Sequence, residues 1–157
     1  MAHEQGGPPS GPGHYFGLLN EIGIIEQLSR TLLEARLPEG LIAPHFTVLN
    51  HLTRVGDGRT PLEMARAFQV PKTSMSHTLA GLEKHRLVEM RPNPADKRSK
   101  QVWLTDQGRM VREQTIAALA GDLADMSQVL SPQDVGTILP VLTRLRVWLD
   151  KRRDSED

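Results

Sequence analysis

A mainly helical α+β fold is predicted for this chain of 157 residues, on three observations. Apolar residues recur at three- and four-residue spacing over most of the chain, the period of helices with one buried face. In the middle, two short helical stretches are joined by a break at Val70-Pro71. Directly after them the period changes to two short strand-like runs that bracket a polar, proline-bearing basic stretch. Short helix, break, short helix, strand, basic loop, strand is the order of a winged helix-turn-helix domain.

Each element follows from its residues. Tyr15 to Leu37 carries Leu18, Leu19, Ile22, Ile25, Leu28, Leu32 and Leu33 on one stripe and is stopped by Pro38-Glu39-Gly40. A second helix runs from about Pro44 to Arg54, with Phe46, Leu49 and Leu52 apolar, and ends at Gly56-Asp57-Gly58. Thr60-Pro61-Leu62-Glu63 opens the third, because the Thr hydroxyl can accept from the N3 amide while Glu63 reaches back to complete a capping box. It ends near Phe68. The fourth spans Lys72 to about His85, with Met75, Leu79 and Leu82 facing inward. Leu87-Val88-Glu89-Met90 and Gln101-Val102-Trp103-Leu104 read as strands of a hairpin with a long tip from Arg91 to Lys100. Thr105-Asp106 caps a long helix to about Leu130, and Ser131-Pro132-Gln133-Asp134 starts the last, which Pro140 should kink. Residues 1–13 read as a disordered Gly/Pro-rich tail and 151–157 as a charged one.

Composition narrows the functional classes. The absence of cysteine excludes disulfides, thiolate metal sites and thiol redox sensing. No apolar run approaches the ~20 residues that span a bilayer, and the N-terminus has no signal-peptide core, so a cytoplasmic protein without a membrane partner is expected. No Ser/His/Asp or Cys/His arrangement and no Gly-rich phosphate loop is apparent, and the carboxylates scatter over caps and solvent faces, which argues against an enzyme. No cofactor motif and no metal-ligand spacing stands out.

The formal net charge is zero, yet the charge is unevenly placed. Between Pro71 and Arg112 nine Lys/Arg stand against four acids, an excess of five. A local excess of this kind can contact phosphates without raising the global charge. With Met75, Leu79 and Leu82 inward, Lys72, Thr73, Ser74, Ser76 and His77 face solvent at the start of the fourth helix, where they suit major-groove entry as a recognition helix. Such hydroxyl clusters also simply cap and solubilise helices, and it is the basic hairpin tip next to them that favours double-stranded DNA. In that tip Arg91, Lys97, Arg98 and Lys100 can follow a groove, and Asp96 can orient Arg98 or nearby amides.

The run from Val70 to Val88, Val70-Pro71-Lys72-Thr73-Ser74-Met75-Ser76-His77-Thr78-Leu79 and onward, resembles the recognition-helix segment of MarR-family transcriptional regulators. So does Arg91 followed by Asp96-Lys97-Arg98-Ser99-Lys100 and then Val102-Trp103-Leu104-Thr105-Asp106-Gln107-Gly108-Arg109, and Leu41 to Leu52 is similar to the family's second helix. The resemblance covers about Tyr15 to Leu149. Three positions depart from it. Arg86 stands where Gly is common, so the turn into the wing must be made without a residue free at positive φ. Ile42 stands where a hydroxyl N-cap is usual, and His77 where Arg is common, which makes contact there pH-dependent.

The resemblance implies a winged helix-turn-helix domain over residues 41–105 and a helical dimerisation region over 14–40 and 106–150. It further implies a homodimer whose two recognition helices enter successive major grooves of a pseudo-palindromic operator, acting as a repressor. Family members often bind an aromatic or phenolic effector between the dimer helices and the winged domain. His14, Tyr15, Phe16, His45 and Phe46 are the candidate lining here, though all five also suit ordinary core or surface roles. A winged-helix scaffold serving as a protein-interaction module is the competing reading.

Overall fold

The computed structural model describes residues 11–155. The first ten positions of the tail expected over 1–13, and the last two of the tail expected over 151–157, lie outside the described residues. The chain divides into two units, one ending at Ala117 and the other beginning at Ala118.

In the first unit α1 (Pro12–Glu34) begins three residues before the expected Tyr15, because Pro12 occupies the first turn, where its missing amide costs nothing. It is followed by α2 (Ala43–Val55), α3 (Pro61–Ala67), α4 (Lys72–Lys84), the antiparallel strands β1 (Val88–Pro92) and β2 (Lys100–Leu104), and α5 (Asp106–Ala118). The strands pair Val88 with Leu104, Met90 with Val102 and Pro92 with Lys100. Both therefore run further than expected, and Arg91 and Lys100 are strand residues rather than part of the loop. A bridge from Arg59 to Val102 adds a short third edge before α3. The start of α3 is as the sequence dictates. The Glu63 amide donates to Thr60 Oγ1 at 3.2 Å and the Thr60 amide to Glu63 Oε2 at 2.6 Å.

The core of this unit gathers one face of each element from α2 to α5. Val48, Leu49 and Leu52 of α2 meet Met64 of α3, Met75, Leu79 and Leu82 of α4, Val88 and Val102 of the hairpin, and Val111 of α5. Full burial of one such side chain is worth about 1.5–3 kcal/mol, so α4 is held chiefly by its three inward residues. α1 contributes no buried residue.

The second unit holds α6 (Ala120–Asp125), a 3-10 turn (Met126–Gln128) and α7 (Pro132–Ser155). The single helix expected from Asp106 to Leu130 is thus interrupted at Leu119, a turn residue at φ −81° and ψ −7°. The residues that follow, Gly121, Asp122, Asp125 and Ser127, are poor helix formers. α7 starts on a reciprocal cap. The Asp134 amide donates to Ser131 Oγ, and the Ser131 amide to Asp134 Oδ2. It contains Pro140, which removes one backbone donor, and continues to Ser155, so residues 151–155 are helical rather than tail. α7 also has no buried residue.

Candidate nucleic-acid interface

α4 puts its Met75, Leu79 and Leu82 into the core and leaves Lys72, Thr73, Ser74, Ser76 and His77 exposed. Its N-cap is Pro71, which supplies no side-chain acceptor, so no side chain caps the first-turn amides. An uncapped helix start carries partial positive charge and unpaired donors, the two properties that hold a phosphate. Thr78 is the outward residue turned away from this role, because its hydroxyl donates to the Ser74 carbonyl at 3.1 Å.

The wing loop between the strands is ordered by a residue that sequence reasoning passed over. Asn93 is 8% exposed. Its Nδ2 donates to Ser99 Oγ at 2.8 Å, its Oδ1 accepts from the Ala95 amide at 3.0 Å, and its own amide donates to the Ser99 carbonyl. The signal was present as Pro-Asn-Pro, since Asn readily folds back on the amide two residues ahead. On this base Asp96 Oδ1 accepts from the Arg98 amide at 2.9 Å and meets the Arg98 guanidinium at 3.3 Å. The Arg98 side chain nevertheless remains 92% exposed. A pre-set but solvated guanidinium is free to exchange water for phosphate or a base edge. Lys97 and Lys100 are exposed too.

Arg91 is placed differently. It pairs with Glu89 on the same strand and lies over the Trp103 ring at 4.2 Å from its centroid. Those two contacts hold it on the sheet face. Arg109 and Arg112 are also engaged within the fold, the first with Asp57 at 2.8 Å and the second with Asn50 at 3.0 Å. Three of the nine cations counted in the sequence therefore brace the domain.

The Leu-Thr-x-x-Gly segment proves to be a joint. Thr105 Oγ1 donates to the Arg86 carbonyl and accepts from the Gly108 amide. A Cβ on Gly108 would lie 2.1 Å from the Leu87 carbonyl oxygen, so no larger residue fits where α5 crosses the chain. Asp57, also missed from sequence, joins this region by accepting from the Leu104 amide at 2.8 Å. Arg86 takes φ +59° itself. The turn expected to avoid positive φ is instead made in the left-handed region by a residue with a Cβ.

The five residues expected to line an effector cleft are spread out. His14, Tyr15 and Phe16 lie exposed on the first turns of α1, Phe46 is half-buried on α2, and His45 is buried. None of them lines the cleft of about 390 Å³ that α1, α2 and the α3–α4 segment enclose, whose walls include Arg30, Thr47, Val48, Phe68, Val70 and Met75. His45 turns instead toward α4. Its Nδ1 accepts from the Ile42 amide at 3.0 Å, half of a capping box whose other half Ile42 has no acceptor to make. Burial first, then the nearby His85 and His77, hold its pKa below the usual imidazole value. Among the described residues no cluster of His, Asp or Glu could hold a metal ion, and no helix is long and apolar enough to cross a membrane.

Comparison with known proteins agrees with this geometry. A model of the MarR family matches residues 39–99, from the loop before α2 into the wing. Wild-type MarR from E. coli in its apo form is 26% identical, with a TM-score of 0.68 over 88% of this chain and 98% of that one. A mutant of the same protein complexed with operator DNA is 27% identical, with a TM-score of 0.67 over 87% and 99%. The transcriptional regulator BldR from Sulfolobus solfataricus shares the fold at 20% identity, with a TM-score of 0.74 over 88% and 99%. Helix, ordered wing, the joint at Gly108 and these likenesses agree: residues 39–99 match the MarR family model, and the chain is similar in fold to MarR-family regulators.

Proposed function

We propose that the chain is a transcription regulator that binds double-stranded DNA as a homodimer and represses from a pseudo-palindromic operator. The observation that carries this is the pairing, within one unit, of an uncapped helix start bearing Lys72, Thr73, Ser74, Ser76 and His77 with a wing whose Arg98 is pre-set yet solvated. The first suits base edges and phosphates of the major groove, and the second suits a neighbouring groove. E. coli MarR, a relative of similar fold, has been crystallised with operator DNA, which supports the same partner. Residues 41–105 form the DNA-binding domain in this reading, and 14–40 with 106–150 the dimerisation region. The latter is supported by Ile25 and Leu28 of α1, and separately by Leu139 and Trp148 of α7, all large apolar side chains left exposed.

The effector is a small aromatic or phenolic molecule. Its site is better supported at the 390 Å³ cleft than at the aromatic residues of α1, because the cleft combines apolar walls with a few polar groups, among them the paired Arg30 and Glu26. Repression follows from occlusion, since a dimer on promoter DNA excludes other proteins, and the setting is the cytoplasm.

Fluorescence anisotropy against duplex from the gene's own upstream region, at several salt concentrations, tests the reading. Binding that is tighter than to scrambled duplex and weakens steeply with salt is expected. No binding at low salt would move the weight to a protein-interaction role.

A further inference from the structure

We propose that His45 is a proton-sensitive tie between the first turn of α2 and the recognition helix α4, so that α4 is firmly seated only while the His45 imidazole is neutral. The argument rests on geometry. The Ile42 amide can only donate, so His45 Nδ1, 3.0 Å away, must be unprotonated and the ring's proton must sit on Nε2. That Nε2 edge lies against the last turn of α4, where a Cβ on Gly81 would approach it to 2.6 Å. One ring therefore caps α2 with one nitrogen and packs on α4 with the other. A second proton would set an N–H against the N–H of Ile42, and it would add a cation to a helix N-terminus, which already disfavours one.

The titratable groups around the ring reinforce this. From α4 and its C-cap come His77 and His85, the latter lying against Gly40 in the loop before α2. From α1 comes Glu34, whose Oε1 accepts from the Ala43 amide at 2.9 Å and so caps the same helix end. Glu34 is engaged with the backbone rather than with the imidazole. His77 and His85 both lie close enough to oppose positive charge on His45. The folded-state pKa of His45 lies below the unfolded one. Its contribution to stability is thus complete above about pH 6.5, the unfolded value, and is lost as pH falls through the folded pKa.

The consequence for DNA rests on the reading of α4 as the base-contacting helix. As pH falls below about 6.5, the seat of α4 loosens and operator affinity drops with it.

The test uses the full chain and its His45→Asn variant, whose Oδ1 can accept from Ile42 but does not titrate. Histidine side-chain NMR should find His45 as the Nε2–H tautomer, still neutral at a pH where an exposed histidine is charged. Thermal midpoints from pH 7.5 to 5.5 should fall more in the wild type than in the variant. This difference isolates His45 from His51, whose pKa is also lowered, by burial and by Arg54 and Arg59. Anisotropy on an operator duplex should show the same ordering. An Nδ1–H tautomer, an ordinary titration near pH 6.5, or identical pH slopes for the two proteins would overturn the proposal. Absence of duplex binding by either protein at pH 7.5 would defeat the DNA-binding reading, while NMR and melting would still decide the proton link.

Discussion

Arginines of the wing region carry the same charge to different ends, and their surroundings decide which. Arg98 is 92% exposed and oriented by Asp96, so Arg98→Ala is expected to weaken operator binding by about 1–3 kcal/mol while leaving the thermal midpoint nearly unchanged. Arg91 is held by Glu89 and the Trp103 face. Arg91→Ala should therefore alter Trp103 fluorescence and wing stability as well as affinity, and an unchanged emission spectrum would refute the stacking. Arg86 makes its turn at φ +59°, a conformation costing about 1–2 kcal/mol for a residue with a Cβ. Arg86→Gly is expected to recover part of that cost, partly offset by a more flexible unfolded chain. A lowered midpoint in a denaturation series would show that Arg86 makes compensating contacts.

Between elements, the decisive features are close approaches. The Gly81 Cα lies beneath the His45 ring and Gly108 against the Leu87 carbonyl, and the two differ in what can give way. At Gly81 the neighbour is a side chain, so Gly81→Ala should destabilise the wild type but much less a His45→Ala background. At Gly108 the neighbour is backbone. Gly108→Ala is expected to cost about 1–3 kcal/mol, the range of overpacked sites, in any background. Equal effects of Gly81→Ala in both backgrounds, measured by chemical denaturation, would show that the ring is not what Gly81 accommodates. The cap of α3 is simpler: loss of the Thr60 hydroxyl in Thr60→Ala should cost about 1 kcal/mol.

For the molecule as a whole, apolar surface is the issue. Neither α1 nor α7 buries a residue, although Leu28 is 68% exposed and Leu139 58%. Most helical stability in proteins comes from packing an apolar face, and these helices of 23 and 24 residues leave theirs open. A second copy of the chain is the proposed partner. Leu28→Glu and Leu139→Glu are each expected to shift sedimentation velocity toward monomer and to weaken operator binding steeply, since each half-site alone holds the DNA less tightly. Retention of a full dimer by both variants would contradict the assigned surface.

Periodicity, caps and breakers were enough to locate every helix and both strands of the winged region, because each is a local property. Thr60 and Glu63 cap α3 whatever surrounds them, and Met75, Leu79 and Leu82 fall on one face of any helix. The outward set from Lys72 to His77 followed from the same geometry. Tertiary structure alone decided the rest, because it depends on neighbours far along the chain. Thr105 and Gly108 make their joint only where α5 crosses Arg86 and Leu87, and Asp57 joins it across 47 residues. Arg91 became a brace because register placed Trp103 opposite Glu89. His45, expected beside an effector, faces α4 instead, because the glycine that admits its ring lies 36 residues further on, in a different helix.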